Sequence, residues 1–147
     1  MINELIVKNI LRQLRLGRRY SGYDHIVFAL GLMFFKKDFI TCMSKVLYLT
    51  IAQSHNTSAM CVEKNIRNAI DVIWKNEENK ILIEKYFGSM YVNNKPSNKE
   101  FLCLLYEYVE SYNLVTEIFD LTENICPNSQ GVCSIYMNIV NCLRSMS

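Results

Sequence analysis

The chain has 147 residues and a mass of 17.2 kDa, which fits one domain and leaves little room for a second. Half of its residues are hydrophobic and 20% are charged, a globular composition and not that of a disordered chain. Five Gly and two Pro argue against Gly/Pro-rich linkers and turn-dense all-β designs, and the net charge of +2 by itself indicates no partner.

The hydrophobic pattern is helical almost throughout. Ile6, Ile10 and Leu14 mark a first helix that stops near Gly17. Ser21 followed by Asp24 has the form of an acidic capping box and opens a second helix, with Ile26, Val27, Leu30 and Phe34 inward. A third segment runs over about 41–54 and a fourth over about 58–76. Asn79 is placed to cap a short fifth helix, which Gly88 terminates. A polar loop over 89–96 closes on Pro96, and Ser97-Asn98-Lys99-Glu100 is a full capping box for a sixth helix. That helix turns Phe101, Leu104, Leu105 and Tyr108 inward. Two further helices are expected at about 115–124 and 132–145, separated by the turn from Pro127 to Gly131. The fold class is therefore all-α: a compact bundle of about six helices containing a helix-turn-helix, plus about two C-terminal helices.

Charge is unevenly distributed. Residues 1–106 hold 15 Lys and Arg against 9 Asp and Glu, whereas 107–147 hold Arg144 alone against five acids. Such asymmetry suits a polyanion-binding body with an acidic appendage, and equally suits two solvated surfaces of different sign. The six cysteines contain no Cys-x-x-Cys pair, and with only His25 and His55 there is no zinc pattern. No cofactor, metal or catalytic group is expected. The N-terminus is too interrupted by charge for a signal peptide. The longest apolar run, Ile26 to Phe35, falls short of the about 20 residues needed to span a bilayer. A cytoplasmic protein with no membrane partner is the expectation.

Residues 51–70, IAQSHNTSAMCVEKNIRNAI, carry the functional information. A helix-turn-helix needs a small residue on its first helix, a turn residue tolerant of positive φ, and apolar residues at fixed spacing on the second. Ala52 and Asn56 meet the first two requirements, and Thr57 or Ser58 can cap the second helix. Val62, Ile66, Ala69, Ile70 and Ile73 then face inward. His55 departs from the pattern, since that position usually points inward and prefers an apolar side chain. Met60, Glu63, Lys64, Arg67, Asn68 and Asp71 share the opposite face. That chemistry suits base edges, with Arg donating to guanine, Asn to adenine and Glu accepting from cytosine. Any amphipathic helix has a solvated polar face, so the reading rests on Ala52, Asn56 and the apolar spacing together. The candidate DNA-binding residues are Ser58, Met60, Glu63, Lys64, Arg67 and Asn68.

Collinear stretches extend the pattern: SGY (21–23), KVLY (45–48), IA (51–52), NT (56–57), VE (62–63), IR (66–67), AI (69–70), Trp74, FG (87–88) and KPSNKEF (95–101). Through them, residues from about Val7 to Val109 resemble the DNA-binding effector domain of the stage-zero sporulation regulator A family. The resemblance implies a six-helix fold with a helix-turn-helix that binds short DNA boxes, often as a tandem dimer, to regulate transcription. It implies base or phosphate contacts from Glu63, Lys64 and Arg67. Two positions depart from the family: Cys61 stands where a basic residue is expected, and Asn68 where a His is expected. The loop between Gly88 and Lys95 is shorter than the family's, in a region that contacts RNA polymerase there. No receiver domain is expected ahead of Met1, because the effector-like part begins almost at once.

The chain therefore divides into a helix-turn-helix domain over 1–112 and a helical extension over 113–147. The extension either packs on the body or makes a homodimer. Double-stranded DNA is the expected partner, with RNA polymerase and a second copy as further ones. The competing reading is a protein-interaction module that has lost DNA reading and modulates a full-length regulator or RNA polymerase.

Overall fold

The computed structural model describes residues 2–125, and every regular element among them is helical. Seven α-helices occur among the described residues: α1 (Ile2–Gln13), α2 (Ser21–Phe35), α3 (Asp38–Thr41), α4 (Tyr48–Ser54), α5 (Ala59–Lys75), α6 (Lys80–Phe87) and α7 (Asn98–Ile125). Contacts divide the chain into a unit over 1–106 and a second over 107–147.

The core of the first unit forms where the apolar stripes of α1, α2, α4, α5, α6 and the start of α7 meet. Leu11, Leu14, Ile26, Leu30, Met33, Ile51, Ile66, Ile70, Ile73, Ile83 and Phe101 are each almost fully buried. Trp74, Phe87 and Phe101 form an aromatic cluster, with Phe87 stacked on Phe101 at 5.2 Å and Trp74 5.3 Å from Phe87. The Trp74 indole donates to the Tyr91 carbonyl at 2.7 Å, so its polar atom is satisfied at the edge of an apolar cluster.

Several local expectations hold, and several yield to tertiary structure. The capping box is complete. The Ser97 amide donates to Glu100 at 2.9 Å, and the Glu100 amide donates to the Ser97 hydroxyl at 3.2 Å. Gly88 ends α6 with φ 105°, a backbone state costly for any residue with a Cβ. Ser21, by contrast, is not a cap. Tyr20 occupies that position with extended geometry and no side-chain cap bond. Asn79 does not cap α6 either. It is buried, and its amide donates to the carbonyls of Leu14 at 2.8 Å and Ile73 at 3.0 Å. Asn76, three residues earlier, takes a capping role by accepting from the Glu78 amide at 3.1 Å. The first helix turns at Arg15 (φ 62°) before reaching Gly17.

The expected helix over 41–54 is interrupted. α3 ends at Thr41, a π-turn occupies Met43–Leu47, and α4 comes after it. The amides of Val46 and Leu47 both reach the Cys42 carbonyl, at 3.0 and 3.4 Å, which accommodates one extra residue in the turn. The resulting register buries Leu47, Tyr48, Ile51 and Ala52 and leaves Val46 and Leu49 exposed. The stretch expected as a separate helix at 115–124 continues α7 without a break. Ser111 and Thr116 return their hydroxyls to the carbonyls four residues back, at 2.9 and 2.6 Å, instead of competing with the helix. The helix expected at 132–145 lies outside the described residues.

Candidate nucleic-acid interface

α4 and α5 are joined by a turn that the local sequence dictates. The His55 amide reaches the carbonyls of Ile51 and Ala52, and the Thr57 amide closes back on Ala52 at 3.0 Å. Between them Asn56 adopts φ 52°, the left-handed state for which asparagine is among the best non-glycine residues. Ser58 is extended (φ −96°, ψ 156°), and its hydroxyl accepts from the Cys61 amide at 3.2 Å. Of the two residues able to cap, Ser58 does so.

From that start α5 runs for 17 residues with Val62, Ile66, Ala69, Ile70 and Ile73 buried, the face expected to turn inward. Ala52 is also buried, 4% exposed. A second close crossing lies at α2. At Gly22 of α2, a Cβ would stand 2.2 Å from the Asn65 carbonyl oxygen and 2.7 Å from the Ala69 Cβ. Gly22 therefore sets how near α2 approaches α5.

The outward face brings the candidate residues together. Met60 is 81% exposed, and Lys64, Arg67 and Asn68 are exposed along the same helix. Arg67 is paired within the helix to Glu63, Nη2 to Oε1 at 2.5 Å. An exposed pair four residues apart contributes only about 0.3–0.5 kcal/mol, so it orients the guanidinium without locking it. Lys64 makes no ion pair among the described residues. At the N-terminal end, the hydroxyls of Ser58 and Thr57 hold the exposed Cys61 thiol below its ordinary range, with Lys64 adding a smaller pull in the same direction.

α5 is further held by residues whose positional meaning the sequence alone does not show. The Asn98 amide donates to the Glu63 carbonyl at 3.0 Å, and Lys95 pairs with Asp71. Asn98 also bonds the Tyr48 hydroxyl, while burial pushes that phenol above its usual range. The KPSNKEF stretch thus grips the outward helix at two points. Of the N-terminal arginines, Arg15 is paired with Glu78, Arg12 donates to Asn9 at 3.0 Å, and Arg19 lies over the Tyr20 ring. Among the described residues, no cluster of three or more His, Cys, Asp or Glu could hold a metal ion. No helix among them is long and apolar enough to cross a membrane.

An all-α body carrying a capped helix-turn-helix, with a polar and cationic second helix turned outward, defines a helix-turn-helix protein. The family model described as sporulation initiation factor Spo0A C terminal matches residues 7–109. The chain belongs to that family, whose members are DNA-binding effector domains of sporulation initiation.

Proposed function

We propose that this chain is a sequence-specific double-stranded DNA-binding regulator of transcription that reads the major groove with α5. The observation that carries the reading is the exposed row of Lys64, Arg67 and Asn68 on a helix whose start is fixed by Asn56 and the Ser58 cap. Arg67 has the donor geometry for guanine and Asn68 the paired donor and acceptor for adenine. Lys64, a point charge, suits phosphate better than a base edge. Ser58 sits at the helix N-terminus, where amides and a hydroxyl favour phosphate, and Met60 offers apolar contact to a thymine methyl. Glu63 accepts from cytosine or steers Arg67. The protein acts in the cytoplasm and assigns no residue to catalysis.

Fluorescence anisotropy with a family box and a scrambled duplex tests this directly. Preference for the box by a factor of about 10³ or more fits specific reading. Equal affinity for both refutes it. Two observations favour the rival, an interaction module acting on a full-length regulator or RNA polymerase: Cys61 replaces an expected cation, and Arg67 is already engaged by Glu63.

The division at 112/113 is part of the same proposal, with 113–147 as a dimerising extension. Leu114 and Leu121 are exposed apolar side chains on α7, and a second copy of this acidic segment suits them better than DNA does. Truncation after Tyr112 and light scattering test it. A full-length dimer that becomes a monomer supports the proposal, and a monomeric full-length chain refutes it.

A further inference from the structure

His25 is buried, 4% exposed, in the second turn of α2, and its Nδ1 has no hydrogen-bond partner. An orphaned polar atom in such a place has a cost of about 1–3 kcal/mol, so its retention asks for a reason. The ring it meets is a second imidazole. His55, in the helix-turn-helix turn, stands edge-on to His25 with centroids 5.0 Å apart, and Phe28 closes on His55 at 5.2 Å. His55 Nδ1 lies 3.0 Å from the Ile51 carbonyl, and since a carbonyl only accepts, that nitrogen carries the proton.

The two histidines differ in access to solvent. His55 is exposed and lines a cavity of about 420 Å³ between α1 and α2, together with Glu4, Lys8, Asp24, Val27 and Phe28. His25 is sealed. Of the charged groups around the pair, Glu4 and Lys8 of α1 neutralise each other at 2.6 Å, which leaves Asp24 of α2 to favour a cation on His25. At the Gly22 crossing, α5 presents the uncharged Asn65 carbonyl and Ala69 to α2. From α4 it is the Ile51 carbonyl that meets His55. Asp24 offsets only part of what burial and the ring of His55, 5.0 Å away, impose on a proton at His25.

We propose that His25 and His55 form an acid-sensitive latch, which holds α2 against the helix-turn-helix turn near neutral pH and releases it on protonation. Release frees the segment that sets the start of α5. Coupling of the latch to DNA affinity rests on the DNA-binding reading above; the loosening itself does not.

The direction comes from linkage. Burial, and then the neighbouring His55, lower the affinity of His25 for a proton below the ordinary value of 6.5, against a smaller opposing effect of Asp24. An unfolded His25 binds its proton at a pH where the folded one does not. The contribution to stability is therefore complete above 6.5 and falls progressively as the pH drops below that value.

The test uses the full chain, His25→Gln and His55→Leu, the second placing an apolar residue in the turn should the first fail to fold. Melting temperature and amide exchange at 52–58 are followed from about pH 7.5 to pH 5.5, without DNA. Wild type is expected to lose stability and protection at the turn over this range, and either variant to lose clearly less. Coincident pH profiles for wild type and variants overturn the latch. Anisotropy on a family box over the same range should show wild-type affinity falling about fivefold or more relative to His55→Leu. Parallel titrations there overturn the coupling to DNA. Absence of DNA binding at every pH refutes the DNA reading, and the DNA-free profiles then decide the latch alone.

Discussion

Gly22→Ala tests the placement of α5 most directly. The added methyl would sit 2.2 Å from the Asn65 carbonyl oxygen and 2.7 Å from the Ala69 Cβ, where ordinary contact begins at 3.4 Å. Neither obstacle is the free end of a flexible side chain, so α5 must withdraw by about 1 Å. A gap of about that size forfeits a quarter to a half of each dispersion contact along the seam. Overpacking costs about 1–3 kcal/mol, and a backbone obstacle places this case near 3 kcal/mol. For a unit of about 100 residues that lowers the melting temperature by roughly 12–24 °C. Gly31→Ala is the matched control, because nothing lies within 4 Å of its Cβ on the same helix. It should be neutral or stabilising by up to about 1 kcal/mol. Calorimetry of the two variants decides the matter. A Gly22→Ala chain that melts within roughly 2 °C of wild type would refute the close-crossing argument.

Arg67→Ala should cost about 1–3 kcal/mol of affinity on a cognate box and much less on random duplex, measured by anisotropy; equal losses on both would confine Arg67 to phosphate. Its partner Glu63 is half exposed, so denaturant midpoints should barely move. Affinity should fall with salt at a log–log slope of roughly −0.9 per phosphate contact, and salt-insensitive binding contradicts a cationic reading face. Asn79→Ala removes both donors from the Leu14 and Ile73 carbonyls and should cost about 1–3 kcal/mol in urea unfolding.

Sequence reasoning succeeded where a feature is made by residues close along the chain. The Ser97–Glu100 box, the Ser58 cap, the left-handed Asn56 and the inward face of α5 all involve neighbours within a few turns. It failed where a distant partner decides. Asn79 looks like a cap until Leu14, 65 residues away, claims its amide. Gly22, within the SGY stretch, shows its role in the helix crossing only when α5 is laid against it. The same holds for the candidate interface. The outward set was legible from periodicity, whereas Asn98 and Lys95 emerge as supports only once α7 and α5 are juxtaposed. His55 was legible only as an irregularity, because its partner His25 lies thirty residues earlier on another helix.

The grip of the KPSNKEF stretch on α5 has a thermodynamic consequence for recognition. Asn98 holds the helix at Glu63 and Lys95 holds it at Asp71, points about 12 Å apart along the axis. Together with the buried face of α5, these two contacts narrow its freedom to tilt and roll. Under the proposed DNA reading, the ordering that a loosely held helix would undergo on meeting a duplex is largely completed during folding, so less entropy is lost at the encounter. In the proposed complex, substitutions at Asn98 or Lys95 should therefore weaken binding through a larger unfavourable entropy of association.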